Sequence, residues 1–557
     1  MTRDQKALPH VRHWPGWPLL LLLGAGIILA GSIWFAVAGP FTGSDRDQNS
    51  RYVEAVVGAP ARVNPIFVYL NDVDRDLATL VFSGLTRLGP DGQVLPDLAE
   101  SWDVSEDGRQ FTFHLRSGVY WHSGVAFSSA DVLFTYTLLA DPSVQSDPEQ
   151  AALWRQLSCA APDDLTITCQ LPEPFAPFLS YATIGILPQH ILTGPAPAAL
   201  FDDPFNTRPL GTGPYQLAAL DKTDAVLKAN NRYYLGAPQI AEIQVRFYPD
   251  SSSAAADLVR HEVDGLLMDL TATQEDFQTV ASAVGLSAHT AIRSASTVLY
   301  LNNSASPLND LAVRRSIAHA IDFSTIVGDV LGGRASRAES PLIPGTWAFD
   351  PEVKPLSYDP GKARKILEEA GWVIPDGANV RQRNNFQLSV SLLTDQDPLR
   401  GAVAEAVSEQ LAKIGIAAPV VRQPSTSLVR DFLIPREYQA AIFGWDPGPD
   451  PDPYPAWHSS QASGNGRNLA AYTSEEADKL MEDGRQTTDM EKRRQLYFRF
   501  QEIFEEDVPS VLLYYPVYTY FVSDKVENIQ LGALFYPSSR FSGVNLWTLS
   551  QAPDIRE

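Results

Sequence analysis

The sequence predicts a multi-domain α/β protein held behind an N-terminal membrane-spanning segment. Three observations carry that expectation. The chain has 557 residues, about four times a typical domain length. An uninterrupted apolar window stands near its start. Beyond about residue 300, segments of helical period alternate with segments of strand period, the pattern of an α/β unit with a mixed or parallel sheet.

The apolar window lies between His13 and Asp45, with no charged residue inside it. Pro18 to Ala38 reads PLLLLLGAGIILAGSIWFAVA. As a helix it spans roughly 30 Å, a bilayer core. Arg3, Lys6 and Arg12 precede it, so residues 1–17 are expected in the cytoplasm and everything beyond residue 40 outside. Two readings stay open. The segment is an uncleaved signal anchor, which its length favours, or a signal peptide cut after Ala36-Val37-Ala38. Residues 39–50 read as a polar linker.

Composition narrows the function classes. Asp and Glu total 66 against 43 Lys and Arg, a net charge of −23. That balance repels phosphate backbones and argues against a nucleic-acid partner. Only two cysteines occur, which excludes a disulfide-rich scaffold, an all-cysteine zinc site and an ordinary iron–sulfur cluster. They stand ten apart in SCAAPDDLTITCQ. Pro162-Asp163-Asp164 is a turn signal, so a hairpin would place Cys159 opposite Cys169. Outside the cytoplasm that pair is expected to close as a disulfide.

Element by element, Gln110–Leu115 and Glu242–Phe247 alternate as strands, and Val298–Leu301 reads as a short buried one. Ser129–Leu139 is a helix candidate. Asn309-Asp310 can cap a helix bearing Leu311, Val313 and Ile317. Asp359-Pro360 opens another, which Gly371 closes. Phe386, Leu388, Val390 and Leu392 predict a strand. Val403 to Ile414 predicts an amphipathic helix ended by Gly415. Tyr438–Trp445 predicts a strand, and Thr473 with Glu476 a capping box.

Catalytic and cofactor motifs are missing. Gly265 stands where HExxH, begun by His261-Glu262, needs its second histidine. Gly361-Lys362 runs into Ala363, not the Ser or Thr of a phosphate loop. Gly211-Thr212-Gly213 has Gln216 where a dinucleotide fingerprint needs its third glycine. No enzyme activity, cofactor or metal is expected.

Four segments then point to one family. Leu80 to Leu139 carries Gly84-Leu85, Pro96, Leu98-Ala99, Ser101-Trp102, Asp107-Gly108, Leu115-Arg116, Trp121-His122, Gly124 and Asp131-Val132 in register. Leu210 to Tyr215, Val313 to Asp322, and Tyr358 to Trp372 follow in order. Together they resemble the dipeptide/oligopeptide-type extracellular solute-binding proteins of ABC importers, family 5, over roughly residues 52–550. The resemblance implies a two-lobed periplasmic-binding-protein fold of the large peptide-binding class. Its lobe I would take 51–298, with a β-rich insertion at about 85–204. Its lobe II would take 299–512, with a return to lobe I at 513–557. It also implies capture of short peptides between the lobes and delivery to a permease and an ATPase.

In peptide-binding members an aspartate after a Gly-Trp receives the ligand's α-ammonium. The matching segment here is Phe443-Gly444-Trp445-Asp446-Pro447-Gly448. Asp446 is therefore the candidate, and Trp445 would line the cleft. Asp446 follows Trp445 directly, a departure from the family pattern, and an Asp-Pro-Gly turn is the competing role. Tyr514 in the late strand is a candidate to face the cleft; a core position is equally open. Arg293, Arg334 and Arg422 are candidates for a ligand carboxylate. The same fold binding an oligosaccharide, nickel chelate or haem, and a tethered extracytoplasmic sensor, remain the rival readings.

Overall fold

The computed structural model describes residues 50–550. The expected anchor at 18–38 lies outside the described residues, as do residues 1–17 and the linker up to Gln48 and Asn49. Among the described residues no helix is long and apolar enough to cross a membrane.

A 12-stranded mixed sheet organises the chain. Its key member is the 14-residue strand Ser510–Ser523. The first part of this strand pairs antiparallel with Ser296–Leu301 and Ala335–Arg337. The second part pairs with Leu286–Ile292 and Gly265–Met268. One strand thus serves both halves of the sheet. The chain passes between the halves a second time in the short link Arg293–Ala295, which joins Leu286–Ile292 to Ser296–Leu301.

One half continues through Arg51–Val57, which pairs parallel with Glu242–Tyr248 and leads to Asp224–Ala229 and Tyr215–Leu220. Its core gathers Tyr52, Leu77, Phe111, Trp121, Ile243 and Trp547. The other half runs Ser296–Leu301, Ala440–Trp445, Leu392–Thr394 and Val420–Arg422, the last three parallel. Helices Leu311–Ala320 and Pro398–Ala412 contribute Val313, Ile317, Val403 and Val407 to its core. Ser296–Leu301 is buried at every position, which explains its unbroken apolar run.

A separate four-stranded sheet holds Gln110–Leu115 and the cysteine hairpin. Ser158–Asp163 pairs with Thr166–Gln170, Cys159 stands opposite Cys169, and the two form a disulfide.

Most local signals hold because their chemistry is local. Asp310, Asp359 and Asp397 each cap a helix through the side chain. Gly371 and Gly415 take positive φ, +82° in both. Ser128 and Asp131 form a reciprocal capping box ahead of Ser129–Ala140. Two expectations need correction. The cap of helix Glu475–Gln486 is Ser474, whose hydroxyl accepts from Ala477 N–H, and not Thr473. The run from Phe386 to Leu392 is not one strand. Asn384 and Asn385 both adopt positive φ and turn Gln382–Arg383 back onto Phe386–Gln387. Phe386 is spent on this exposed hairpin, and the core strand begins only at Leu392.

Trp121 to Gly124 is a packed turn that holds the Leu210–Tyr215 segment. His122 Nδ1 accepts from Gly211 N–H at 3.3 Å, so its Nε2 carries the proton and donates to the Gly213 carbonyl at 3.0 Å. A Cβ on Gly211 would run into the Val81 carbonyl, which belongs to backbone and cannot swing aside. Gly211→Ala should therefore cost about 1–3 kcal/mol or more, the scale of overpacking. Urea unfolding checks this, and an unchanged midpoint contradicts it.

Candidate ligand-binding site

Strand Ala440–Trp445 ends where the two halves of the sheet meet. Its last residue pairs with Ser296, the first residue after the crossing link. Trp445 is half-buried there, with the Arg467 guanidinium 6.0 Å from its ring centroid. It lines a small pocket, partly open to solvent, together with Pro447, Pro451, Trp457, Ile343 and Phe535.

Asp446 follows on the surface, its side chain 41% exposed. Oδ1 accepts from Gly448 N–H at 3.0 Å, and Gly448 takes φ +78°. That is the Asp-Pro-Gly turn. Oδ2 faces Arg293 Nη2 at 3.4 Å. One oxygen therefore serves the turn and the other faces Arg293, in a side chain that stays partly exposed.

Arg293 sits on the crossing link itself, its backbone N–H donating to the Pro516 carbonyl at 2.9 Å. Burial pulls its guanidinium down, but Tyr518 and Asp446 outweigh that and the net shift is upward. Tyr518, buried, and Tyr536, half-buried, complete the surroundings. Burial pushes the Tyr518 hydroxyl up to about 12, with Arg293 opposing. Burial likewise pushes Tyr536 up to about 12, and Arg75 lies 4.3 Å over its ring.

This arrangement is a charge pair of opposite sign, set beside aromatic rings at the junction of two half-sheets. It can grip a small charged solute. A model of the bacterial extracellular solute-binding proteins, family 5, matches residues 93–467. The chain belongs to that family.

Relatives of this family 5 protein cover nearly its whole length. The oligopeptide-binding protein AppA of Bacillus subtilis is 27% identical over 513 residues, covering 90% of this chain and 92% of AppA. The solved structure of that AppA with a nonapeptide matches at TM-score 0.66 and 26% identity, over 90% of this chain and 99% of the other. NikZ of Campylobacter jejuni, solved with Ni(L-His), matches at TM-score 0.68 and 27% identity, over 89% and 99%.

The remaining candidates of the family 5 chain fall elsewhere. Tyr514 is 3% exposed and packs in the core with Leu299, Leu392 and Ile442. Burial raises its hydroxyl, with Thr297 and Arg400 opposing. That placement fits the core role left open for it, and the structure does not group it with Trp445 and Asp446. Arg334 donates to the carbonyls of Asp269 and Ala272. Arg422 pairs with Glu405 at 3.5 Å. Of the three arginines only Arg293 meets Asp446.

The Asp-Pro run after Asp446 has a structural use that its sequence does not disclose. Asp450 is buried against Arg493, with Nη1 to Oδ2 at 3.0 Å, and also accepts from Ser180 Oγ at 3.1 Å. Asp452 pairs with Arg485 at 2.8 Å. Among the described residues no group of three or more His, Cys, Asp or Glu is arranged to hold a metal. The segment is bolted to helices Glu475–Gln486 and Met490–Asp507 by a part-buried ion pair and a buried one. Nothing local announces this, because the arginines lie 33 and 43 residues downstream.

Proposed function

We propose that this protein captures short peptides in a cleft between two lobes and hands them to the permease and ATPase of an ABC importer. The similarity to AppA over 90% of the chain carries the reading. The lobes are 51–298 and 299–512, the chain returning to the first at 513–557. Arg293 and the long strand Ser510–Ser523 lie where these lobes join, so closure is a hinge motion about the crossings. The ligand's α-ammonium sits on the open edge of Asp446, and Trp445 lines the same cleft. The body works on the extracytoplasmic side, tethered by 18–38 or released after Ala38.

Binding here is reversible and needs no covalent step. Its energy comes from one charge-assisted contact and main-chain pairing, realised when both lobes touch the ligand. Asp446→Ala should weaken trialanine binding by about 1.5–3 kcal/mol, the worth of a hydrogen bond to a charged group. Isothermal titration calorimetry reads this directly. Affinity unchanged from the unsubstituted protein removes Asp446 from the site.

A further inference from the structure

We infer that Arg293 reads the first carbonyl oxygen of a bound peptide while Asp446 holds its α-ammonium, so that the site recognises an α-aminoacyl head as one unit. This rests on the peptide reading above and adds a specificity residue to it.

The first support is an unfinished guanidinium. Arginine carries five N–H donors in a rigid fork. The buried Arg493 and Arg540 use theirs fully, with several close contacts each to carboxylates and carbonyls. Arg334 donates to two carbonyls from Nη1, while its Nε, like that of Arg293, is buried without a partner. Arg293 makes one long contact, 3.4 Å to Asp446, and its Nε is buried with no partner. A buried donor left unmade is costly, so the arrangement calls for an acceptor that the chain itself does not supply.

The second support is spacing. In a peptide the terminal nitrogen and the first carbonyl oxygen are separated by three bonds, on the order of 3 Å. Arg293 Nη2 and Asp446 Oδ2 stand 3.4 Å apart. A head with its ammonium on Asp446 lays its carbonyl oxygen against Arg293, each partial charge facing its opposite. The third support is location. Arg293 is on the crossing link and Asp446 follows the end of strand Ala440–Trp445 of one half-sheet, 153 residues away. Only a ligand seated at the junction touches both.

Calorimetry on the full chain tests this with two probes. One is trialanine. The other is trialanine whose first amide is replaced by a trans-alkene, which keeps shape and charge but lacks the carbonyl. The unsubstituted protein should prefer trialanine by at least about tenfold. Arg293→Gln should reduce that preference by about tenfold, and Arg293→Lys should reduce it less. Comparing ratios within each protein cancels the general effect of removing a positive charge beside Asp446. A preference the same in Arg293→Gln as in the unsubstituted protein overturns the role of Arg293 and leaves the peptide reading standing. If Arg293→Gln does not fold, no preference in the unsubstituted protein overturns it equally. No binding of trialanine or pentaalanine by the unsubstituted protein overturns both.

Discussion

Arg540→Ala should destabilise the protein by about 3–5 kcal/mol, the cost of stripping one partner from a buried ion pair. Arg540 is 2% exposed and lies in the C-terminal segment that returns to the first strand. Its Nε meets Glu54 Oε1 at 2.8 Å, and its two terminal nitrogens hold Asp76 at 3.0 and 2.6 Å. Tyr520 donates to Glu54 at 2.7 Å from the long crossing strand. Removal of the guanidinium leaves two buried carboxylates with no cation. Arg540→Lys should recover little, because a point charge cannot make the two-pronged contact with Asp76. Burial already pushes the Asp76 carboxyl up, with Arg540 opposing it. Without Arg540 it rises further, so its ionised form weighs against the fold. The deficit of Arg540→Ala should narrow as pH falls through that raised value, because protonation removes the uncompensated charge. Urea unfolding at neutral and mildly acid pH tests this. A midpoint equal to that of the unsubstituted protein at neutral pH contradicts it.

Arg493→Ala should cost a similar amount, about 3–5 kcal/mol, for the same reason. Arg493 is 5% exposed and Asp450 6%. The loss strands the Asp450 carboxylate beneath the segment that begins at Asp446. Its second effect is on binding. Once the Asp450 anchor loosens, the segment after Asp446 keeps only the Asp452–Arg485 pair of its two ion-pair anchors, so ligand affinity should fall as well. Asp450→Asn in the Arg493→Ala background should recover much of the stability, because the uncompensated charge is gone. Amide exchange across 446–453 distinguishes this account from general weakening. Exchange that rises in this segment ahead of the strand Ala440–Trp445 is the expected result, and uniform loss of protection contradicts it.

These two networks show where sequence reading stops. Helix starts at Asp310 and Asp359 were legible because an N-cap acts within three residues. The cysteine hairpin was legible because its turn and both sulfurs fall in one short stretch. Thr473 misled by one position because Ser474 offers the same hydroxyl. Phe386 misled because its apolar period ran through a turn that two asparagines impose. Nothing beside Asp450 and Asp452 in the sequence points to their arginine partners, which tertiary packing sets. Arg293 stood level with Arg334 and Arg422 in sequence. Only the return of Ala440–Trp445 beside the crossing link brings it to Asp446.

Net charge changes meaning in this light. The −23 first excluded nucleic acid. At the junction, the Asp446 side chain stays 41% exposed, and it is the carboxylate proposed to take a peptide's α-ammonium.

The central claim is that the solute is a short peptide. Native mass spectrometry of the purified protein tests it most directly, since a closed cleft retains its ligand through purification. The expected result is an added mass of a few hundred daltons that leaves on denaturation and fragments into amino-acid residues. A retained nickel chelate, haem or oligosaccharide in its place contradicts the claim.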